Sequence, residues 1–224
     1  MPGHRRAVVF DLDGTLVETA ADIHAILAEV LAEAGLPAPE PAAVRAMIGD
    51  GARVLIERAL TAIDQPADRA SVDRFHERFT NRYIEVPCRY SVPYEGALEL
   101  LAGLHTDGWG LGLCTNKPHE ATLGLLRALD LLAPFGSVVG GDRLPGIRKP
   151  DPAHLAAVLD ELGTAPEHAI MVGDSRNDLA TANALGVPCL LVSFGYTAVP
   201  ARELGATAVV DRLADIPAAM AGLR

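Results

Sequence analysis

The sequence predicts an α/β protein with a doubly wound, mostly parallel, Rossmann-like sheet and an inserted α-helical cap domain. Short apolar runs alternate with helical patterns through the second half of the chain, which is typical of parallel strands joined by crossover helices. Between Val17 and Tyr83, in contrast, apolar residues recur at helical spacing and we find no convincing strand. We therefore expect a core domain of residues 1–16 and 91–224 and a helical cap domain of residues 17–90.

The chain opens with a predicted strand and then enters the helical segment. Ala7–Phe10 is continuously apolar, the pattern of a strand buried on both faces of a parallel sheet. Thr19 suits the N-cap of the first helix, and Gly35 suits its end. Two or three further helices are predicted in this segment, at residues 44–48, about 52–63 and about 68–83.

Strands and helices alternate in the second half of the chain. The predicted helices cover residues 93–106, 119–129 and 152–162, and a last one ends at Leu185. The predicted strands cover residues 109–114, 137–139, 168–172, 188–193 and 207–210. In an open sheet of this kind the ligand binds beyond the carboxyl ends of the strands, so reactive residues at those ends are the candidates for a site.

The composition limits which partners the protein is expected to bind and which cellular compartment it is expected to occupy. The chain has 224 residues, half of them hydrophobic, which is enough material for a large core. Its formal net charge of −10 argues against sequence-independent binding to nucleic acid or to an anionic membrane. The three cysteines show no CxxC spacing, and no apolar stretch is long enough to span a bilayer. We expect a cytoplasmic protein, monomeric or homodimeric, that must build a local positive site for any anionic substrate.

Two aspartates follow the first predicted strand directly. Asp11 and Asp13 lie at alternate positions, so in extended backbone both side chains point the same way. Two adjacent carboxylates at the end of a buried strand repel each other unless a cation accompanies them. The alternative is an ordinary strand-to-loop turn through Gly14, because Asp-Gly and Gly-Thr are common turn dipeptides.

Polar residues also follow two other predicted strands. Thr115 and Asn116 could bind a phosphate oxygen with a hydroxyl and free backbone amides, although capping a helix is the commoner use of such residues. Asp174 suits direct ligation of Mg²⁺, with Asp178 at the edge of the site. The alternative is that Asn177 or Asp178 caps the next helix. Reactive side chains at three separate strand ends favour one site over three unrelated turns.

Lys149 is the candidate for the positive charge. Prolines at positions 150 and 152 restrict the backbone around it and would hold its side chain in place. A fixed ammonium group can neutralise a phosphoryl oxygen and an aspartate nucleophile together. A solvated surface lysine is the alternative.

Together these residues predict a phosphoryl-transfer site. Asp11 would attack phosphorus and form an aspartyl-phosphate. Asp13 would protonate the leaving oxygen and then activate the water that hydrolyses the intermediate. Mg²⁺ would reduce the repulsion between the attacking carboxylate and the phosphate dianion.

In order and spacing, these segments resemble the four motifs of the haloacid dehalogenase superfamily, specifically its phosphatases. Residues 11–15 are similar to the first motif, Thr115-Asn116 to the second, Lys149 to the third and residues 173–178 to the fourth. The resemblance covers nearly the whole chain. It implies that Asp11 is the nucleophile, that Asp13 is the acid/base, and that phosphate is bound at the second and third motifs. It also implies a Mg²⁺ ion held by Asp11, the backbone carbonyl of Asp13, and Asp174.

Further stretches resemble the phosphoglycolate phosphatase family: residues 48–60, 115–118, 140–142 and 192–196. One stretch departs from that family, which commonly has Asp-Ser-Ala-Pro-Asp after the first motif. This chain has Glu18-Thr19-Ala20-Ala21-Asp22 there. Since that stretch lies at the hinge into the cap domain, the departure concerns the substrate and leaves the chemistry intact.

The cap domain should select the substrate, because the core residues recognise only the phosphoryl group. The candidate is the loop of residues 49–51 together with Arg53. Glycines permit close backbone approach, and a helix that starts near Ala52 offers amides to a carboxylate. The alternative is that Arg53 is a solvated helix residue.

The predicted function is Mg²⁺-dependent hydrolysis of a small phosphate monoester, with 2-phosphoglycolate as the first candidate. Another small ester, such as a sugar phosphate, or pyrophosphate is the nearest alternative. A phosphomutase would return the phosphoryl group to the substrate, and the resemblance of the cap disfavours it. A dehalogenase needs neither a metal nor Asp13, and a non-enzymatic binding module would not need the complete set of reactive residues.

Overall fold

In a computed structural model, residues 6–223 are described, and they form one parallel sheet with helices on both faces. The strands are β1 (Ala7–Phe10), β2 (Val17–Glu18), β3 (Val92–Pro93), β4 (Gly110–Cys114), β5 (Ser137–Val139), β6 (Ala169–Gly173), β7 (Cys189–Val192) and β8 (Ala208–Val210). The helices are α1 (Ala20–Ala32), α2 (Pro41–Arg45), α3 (Ala52–Ala62), α4 (Arg69–Glu85), α5 (Ala97–Thr106), α6 (His119–Ala128), α7 (Pro152–Leu162), α8 (Arg176–Ala184) and α9 (Ile216–Ala221).

Six strands form the main sheet in the order β5-β4-β1-β6-β7-β8, and every neighbouring pair is parallel. Val8 and Phe10 of β1 pack with α5, α6 and α9 on one face, and Ala7 and Val9 pack with α7 and α8 on the other. This alternation follows from the two-residue period of a strand, and it explains why β1 is apolar throughout. The predicted α/β fold is confirmed. The chain adds β4 and β5 on one side of β1 and β6 to β8 on the other, so the topological switch point lies beside β1.

Helices α1 to α4 follow the first strand and build an apolar cluster of their own. Ile26 of α1 and Ile56 of α3 are buried in it together with Phe75 and Phe79 of α4. The predicted helical stripes of this segment therefore face one another and form a core separate from those of the sheet. Ala121 of α6 belongs to the same cluster, so the helical segment packs on the sheet domain through α6.

The proposed domain boundaries, 1–16 with 91–224 and 17–90, stay a prediction. Residues 1–5 and 224 of that division lie outside the described part of the chain. Within residues 6–223, no helix is both long enough and apolar enough to cross a membrane.

The expectation of no strand between Val17 and Tyr83 is wrong. β2 pairs antiparallel with β3, with Val17 opposite Pro93 and Glu18 opposite Val92. The two short strands are the outgoing and returning connections between the sheet and the helical segment. A strand of two residues has no periodic pattern, and its pairing depends on where the chain returns, so the sequence does not reveal it.

Two helix starts also differ from the prediction, and the first is that of the helix expected at residues 44–48, which spans Pro41–Arg45. The helix expected from residue 93 begins at Ala97, because Gly96 adopts a left-handed conformation with φ of 84° and residues 92–93 pair with β2. Thr19 occupies the N-cap position of α1 as predicted, but its side chain makes no capping hydrogen bond. The hydroxyl of Tyr196 accepts hydrogen bonds from the backbone N–H groups of Thr19 and Ala20 instead, at 2.6 and 3.1 Å.

Candidate active site

The predicted strand ends lie side by side. Asp11 follows β1, Thr115 follows β4 and Asp174 follows β6, and β1 lies between the other two strands. The backbone N–H of Asp11 continues the pairing with β6 by donating to the carbonyl of Val172 at 2.9 Å. The parallel sheet therefore brings three chain segments, distant in sequence, to one edge.

Lys149 is buried between two aspartates. Its Nζ lies 2.8 Å from Oδ1 of Asp11 and 2.6 Å from Oδ1 of Asp178, and its side chain is 2% exposed. The alternative of a solvated surface lysine is wrong. Burial disfavours the charge, but the carboxylates of Asp11 and Asp178 outweigh it and raise the pKa of Lys149 above its ordinary value. The ammonium group therefore stays charged.

Three buried carboxylates form an acidic cluster, defined here as Asp11, Asp174 and Asp178, with oxygen atoms within 4.8 Å of one another. Burial raises the pKa of Asp11 to about 6, although Lys149 opposes the shift. Burial also raises the pKa of Asp174, and the charges of Asp178 and Asp11 add to the shift. Lys149 supplies one positive charge to three carboxylates, so additional positive charge would stabilise the acidic cluster.

A divalent cation fits this cluster. Carboxylate oxygens are the ligands that Mg²⁺ prefers, and Mg²⁺ commonly takes one or two of them. Oδ1 of Asp11 is buried and receives no well-aligned hydrogen bond, which leaves a lone pair for a further ligand. The acidic cluster thus has the charge and the donor atoms for the ion.

Asp174 lies in a cradle that glycines make possible. A Cβ on Gly14, which has φ of 83°, would lie 2.6 Å from Oδ2 of Asp174. A Cβ on Gly195 would lie 2.2 Å from the Cβ of the same aspartate. The backbone N–H of Tyr196 donates to Asp174 Oδ2 at 2.6 Å. The carboxylate is therefore fixed by backbone on two sides, and any larger residue at these glycines would displace it.

Asp178 both caps a helix and contacts Lys149. Ser175 is the N-cap of α8, and Oδ2 of Asp178 accepts hydrogen bonds from its N–H at 3.0 Å and its hydroxyl at 2.7 Å. The other carboxylate oxygen binds Lys149, so Asp178 lies inside the acidic cluster and not at its edge. Asn177 does not cap the helix; its side-chain N–H₂ donates to the carbonyl of Gly49 and to Asp50.

Asp13 pairs with Lys117, which was not among the predicted site residues. Lys117 Nζ lies 3.1 Å from Oδ1 of Asp13 and donates to the hydroxyl of Tyr83 at 2.6 Å. Its side chain is 1% exposed. A compositional signal was available: the chain has two lysines against seventeen arginines, and Lys117 and Lys149 are both buried here.

A cavity of about 40 Å³ lies beside Asp11 and Asp13. Its polar lining comes from the strand ends, and its apolar lining comes from the helical segment. The polar side chains are those of Asp11, Asp13, Thr115, Asn116 and Lys117, and the apolar ones include Ile23, Ile48, Leu55 and Phe79. The helical segment therefore covers the reactive aspartates.

Thr115 and Asn116 do not cap a helix, because α6 begins at His119 after Pro118. The side-chain N–H₂ of Asn116 donates to the carbonyls of Gly49 and Lys149, both at 3.0 Å. Asn116 thus joins the helical segment to the loop that carries Lys149. Its role and that of Thr115 in binding phosphate stay predictions.

Arg53 is turned away from the cavity beside Asp11. Its guanidinium forms an ion pair with Asp73, and its side chain is partly exposed. It lines a neighbouring cavity of about 250 Å³ together with His76 and Arg148. A direct contact between Arg53 and a substrate remains a prediction.

The parallel sheet carries reactive aspartates beyond β1, and a helical segment covers them. This arrangement is that of one class of hydrolases. The family model described as haloacid dehalogenase-like hydrolase matches residues 8–192. A phosphoglycolate phosphatase of Rhodospirillum rubrum is 45% identical over 216 residues, which is 94% of this chain and 89% of the relative. A phosphoglycolate phosphatase of Caulobacter vibrioides is 41% identical over 212 residues, which is 95% of this chain and 89% of the relative.

A solved structure agrees with these relatives. The crystal structure of a predicted phosphoglycolate phosphatase from Haemophilus somnus superposes with a TM-score of 0.88 at 30% identity, covering 96% of this chain and 97% of that one. The chain belongs to the haloacid dehalogenase-like hydrolase family, and within it to the phosphoglycolate phosphatases. It is a phosphatase.

Proposed function

We propose that the protein hydrolyses 2-phosphoglycolate to glycolate and phosphate, with Mg²⁺ as its cofactor. The observation that carries the proposal is the small covered cavity beside Asp11, about 40 Å³ in volume. A cavity covered in this way suits a compact phosphate ester. The names of the relatives at 41–45% identity support the same substrate.

The nucleophile in this proposal is Asp11. Its carboxylate attacks phosphorus, the bond to the ester oxygen breaks, and an aspartyl-phosphate forms. Lys149, 2.8 Å from Asp11 Oδ1, neutralises charge on the nucleophile and on a phosphoryl oxygen. Thr115 lines the same cavity, and its hydroxyl binds another phosphoryl oxygen.

Asp13 moves the proton in both halves of the reaction. It protonates the glycolate oxygen as that oxygen leaves, and it then removes a proton from the water that attacks the aspartyl-phosphate. Its position at the same cavity as Asp11 supports this role. The apolar side chains from the helical segment exclude other water from the intermediate.

Mg²⁺ would be held by Asp11, the backbone carbonyl of Asp13, and Asp174. When bound, the ion supplies positive charge that offsets the repulsion between the carboxylate and the phosphate dianion. The excess of carboxylates over lysines in the acidic cluster supports its presence. Asp178 takes a positioning role, because it holds Lys149 and the start of α8.

The test is phosphate release from 2-phosphoglycolate by the wild type and by Asp11→Asn, each with Mg²⁺ and after chelation. We expect Asp11→Asn to lose at least about 1,000-fold in kcat, because the variant has no nucleophile. Chelation should abolish wild-type turnover, and added Mg²⁺ should restore it. Circular dichroism checks that the variant is folded. Substantial turnover by a folded Asp11→Asn would contradict the proposed mechanism.

We also propose a cytoplasmic location. Cys88, Cys114 and Cys189 are free thiols, and the last two are buried. Unpaired cysteines are the usual state in a reducing compartment, which supports this location.

A further inference from the structure

We infer that Lys117 binds the carboxylate of the substrate and thereby selects phosphoglycolate over phosphate esters without a carboxylate. The inference rests on the proposed function, since it names the residue that recognises the non-phosphoryl end of the same substrate. Lys117 is a binding residue in this role, distinct from the residues that contact the phosphoryl group.

The first support is the placement of charge around the cavity. Among the described residues that line it, Lys117 carries the only cationic side chain. Lys149 is not among these lining residues, and it is already engaged by Asp11 and Asp178. The two lysines therefore occupy different positions, Lys117 beside Asp13 and Lys149 beside Asp11.

The second support is the cost of leaving a carboxylate unpaired. Phosphoglycolate brings a carboxylate in addition to its phosphoryl group, and the cavity wall from the helical segment is apolar at Ile48, Leu55 and Phe79. A carboxylate that enters such a space without a cation loses its hydration and gains nothing in return. The ammonium group of Lys117 is the partner that the cavity offers.

The third support is distance. Asp13 must reach the ester oxygen to protonate it, and in phosphoglycolate a single methylene separates that oxygen from the carboxylate. Lys117 Nζ lies 3.1 Å from Asp13 Oδ1, so the two side chains are as close together as the two groups they would contact. A leaving group with a more distant carboxylate would not fit both residues at once.

The fourth support is the way Lys117 is held. An ammonium group has three N–H donors, and here one goes to Asp13 and one to the hydroxyl of Tyr83 at 2.6 Å. Nζ also lies 3.4 Å from Oδ2 of Asp13, the longest of its three contacts, and a ligand carboxylate would replace that contact. Burial raises the pKa of Tyr83, so its hydroxyl is neutral and can accept from Lys117. Because Tyr83 lies on α4, the helical segment positions the ammonium group.

Arg53 is the rival for the same role, and the structure favours Lys117. The guanidinium of Arg53 is paired with Asp73, and Arg53 does not line the cavity beside Asp11. The two residues can be compared directly, because each can be replaced by methionine with a similar loss of one charge.

The experiment compares kcat/KM of the wild type, Lys117→Met and Arg53→Met for 2-phosphoglycolate and for ethyl phosphate, which lacks the carboxylate. We expect Lys117→Met to lower kcat/KM about 10- to 100-fold more for 2-phosphoglycolate than for ethyl phosphate, as expected for the loss of a charge-assisted hydrogen bond. Arg53→Met should change kcat/KM by the same factor for both substrates. An equal loss on both substrates for Lys117→Met would mean that Lys117 only holds Asp13, and it would overturn the inference.

A binding measurement covers the case in which Lys117→Met has no turnover on either ester. In the Asp11→Asn background, calorimetry gives the Kd of each ester with and without Lys117→Met. We expect Lys117→Met to weaken the binding of 2-phosphoglycolate by about 10- to 100-fold more than the binding of ethyl phosphate. Equal weakening of the two esters would overturn the inference.

The wild type separates this inference from the proposed function. A wild type that hydrolyses ethyl phosphate at least as well as 2-phosphoglycolate would contradict the proposed substrate itself. A wild type that prefers 2-phosphoglycolate, with equal losses on both esters in Lys117→Met, would contradict only the role of Lys117.

Discussion

Both lysines of the site are buried and paired with aspartates. Lys149 is matched to Asp11 and Asp178, and Lys117 is matched to Asp13. Removing one member of such a buried pair leaves the other without a partner and costs more than the pair itself contributes. The arrangement therefore holds the reactive carboxylates in fixed positions before any substrate arrives.

Asp22 is a buried carboxylate outside the cavity that joins α1 to the connection returning from the helical segment. It accepts hydrogen bonds from the hydroxyl of Ser91 at 2.6 Å and from the backbone N–H groups of Arg89, Tyr90 and Ser91. Burial alone would raise its pKa, but these donors outweigh burial and lower the pKa of Asp22 below its ordinary value. The ionised form thus stabilises the folded protein.

We predict that Asp22→Asn lowers the free energy of unfolding at pH 7 by about 2 kcal/mol, because charge-assisted hydrogen bonds are weakened. Since the pKa is lowered on folding, this stabilisation is present above about pH 3.9 and is lost as the pH falls below it. Urea unfolding at pH 7 and at pH 3 measures the difference between wild type and variant, which should shrink at pH 3. Asp107→Asn, at an exposed position, is the control. A difference that does not change with pH would contradict the role of the charge.

The residues that follow strands could be predicted from sequence, and those that depend on packing could not. Asp11, Thr115 and Asp174 were predictable because the carboxyl ends of parallel strands share one edge. The pairing of Lys117 with Asp13 joins positions 104 residues apart, and its contact with Tyr83 depends on how α4 packs. No local pattern encodes such contacts.

At the scale of elements, the loop before α3 is held to the core by two asparagines, an arrangement called here the asparagine clamp. Asn116 and Asn177 both donate to the carbonyl of Gly49, at 3.0 and 3.2 Å, and Asn177 also donates to Asp50 at 2.7 Å. Gly49 lines the cavity, so the asparagine clamp holds part of its cover. Sequence patterns predicted α3 but not this clamp, since its donors come from the loop after β4 and from the start of α8.

We predict that Asn177→Ala weakens the asparagine clamp and raises KM for 2-phosphoglycolate about fivefold, as expected for the loss of about one hydrogen bond. Hydrogen exchange should become faster in residues 48–51. Asn183→Ala changes the same residue type at an exposed position of α8 and should alter neither quantity. Unchanged exchange in residues 48–51 of Asn177→Ala would contradict the clamp.

At the scale of the whole molecule, the helical segment and the sheet together make the site. The sheet supplies the aspartates and lysines, and the helical segment supplies the apolar cover and Tyr83. The chain has a net charge of −10, yet it places both of its lysines at this one location. A local positive site within an acidic protein lets it hold an anionic substrate.

The most direct test of this account is a comparison of kcat/KM for the wild type with Mg²⁺ across 2-phosphoglycolate, ethyl phosphate, glucose 6-phosphate and pyrophosphate. The covered cavity and the ammonium group of Lys117 that lines it predict the highest value for 2-phosphoglycolate, at least about tenfold above each of the others. An equal or higher value for glucose 6-phosphate or pyrophosphate would contradict the proposed substrate.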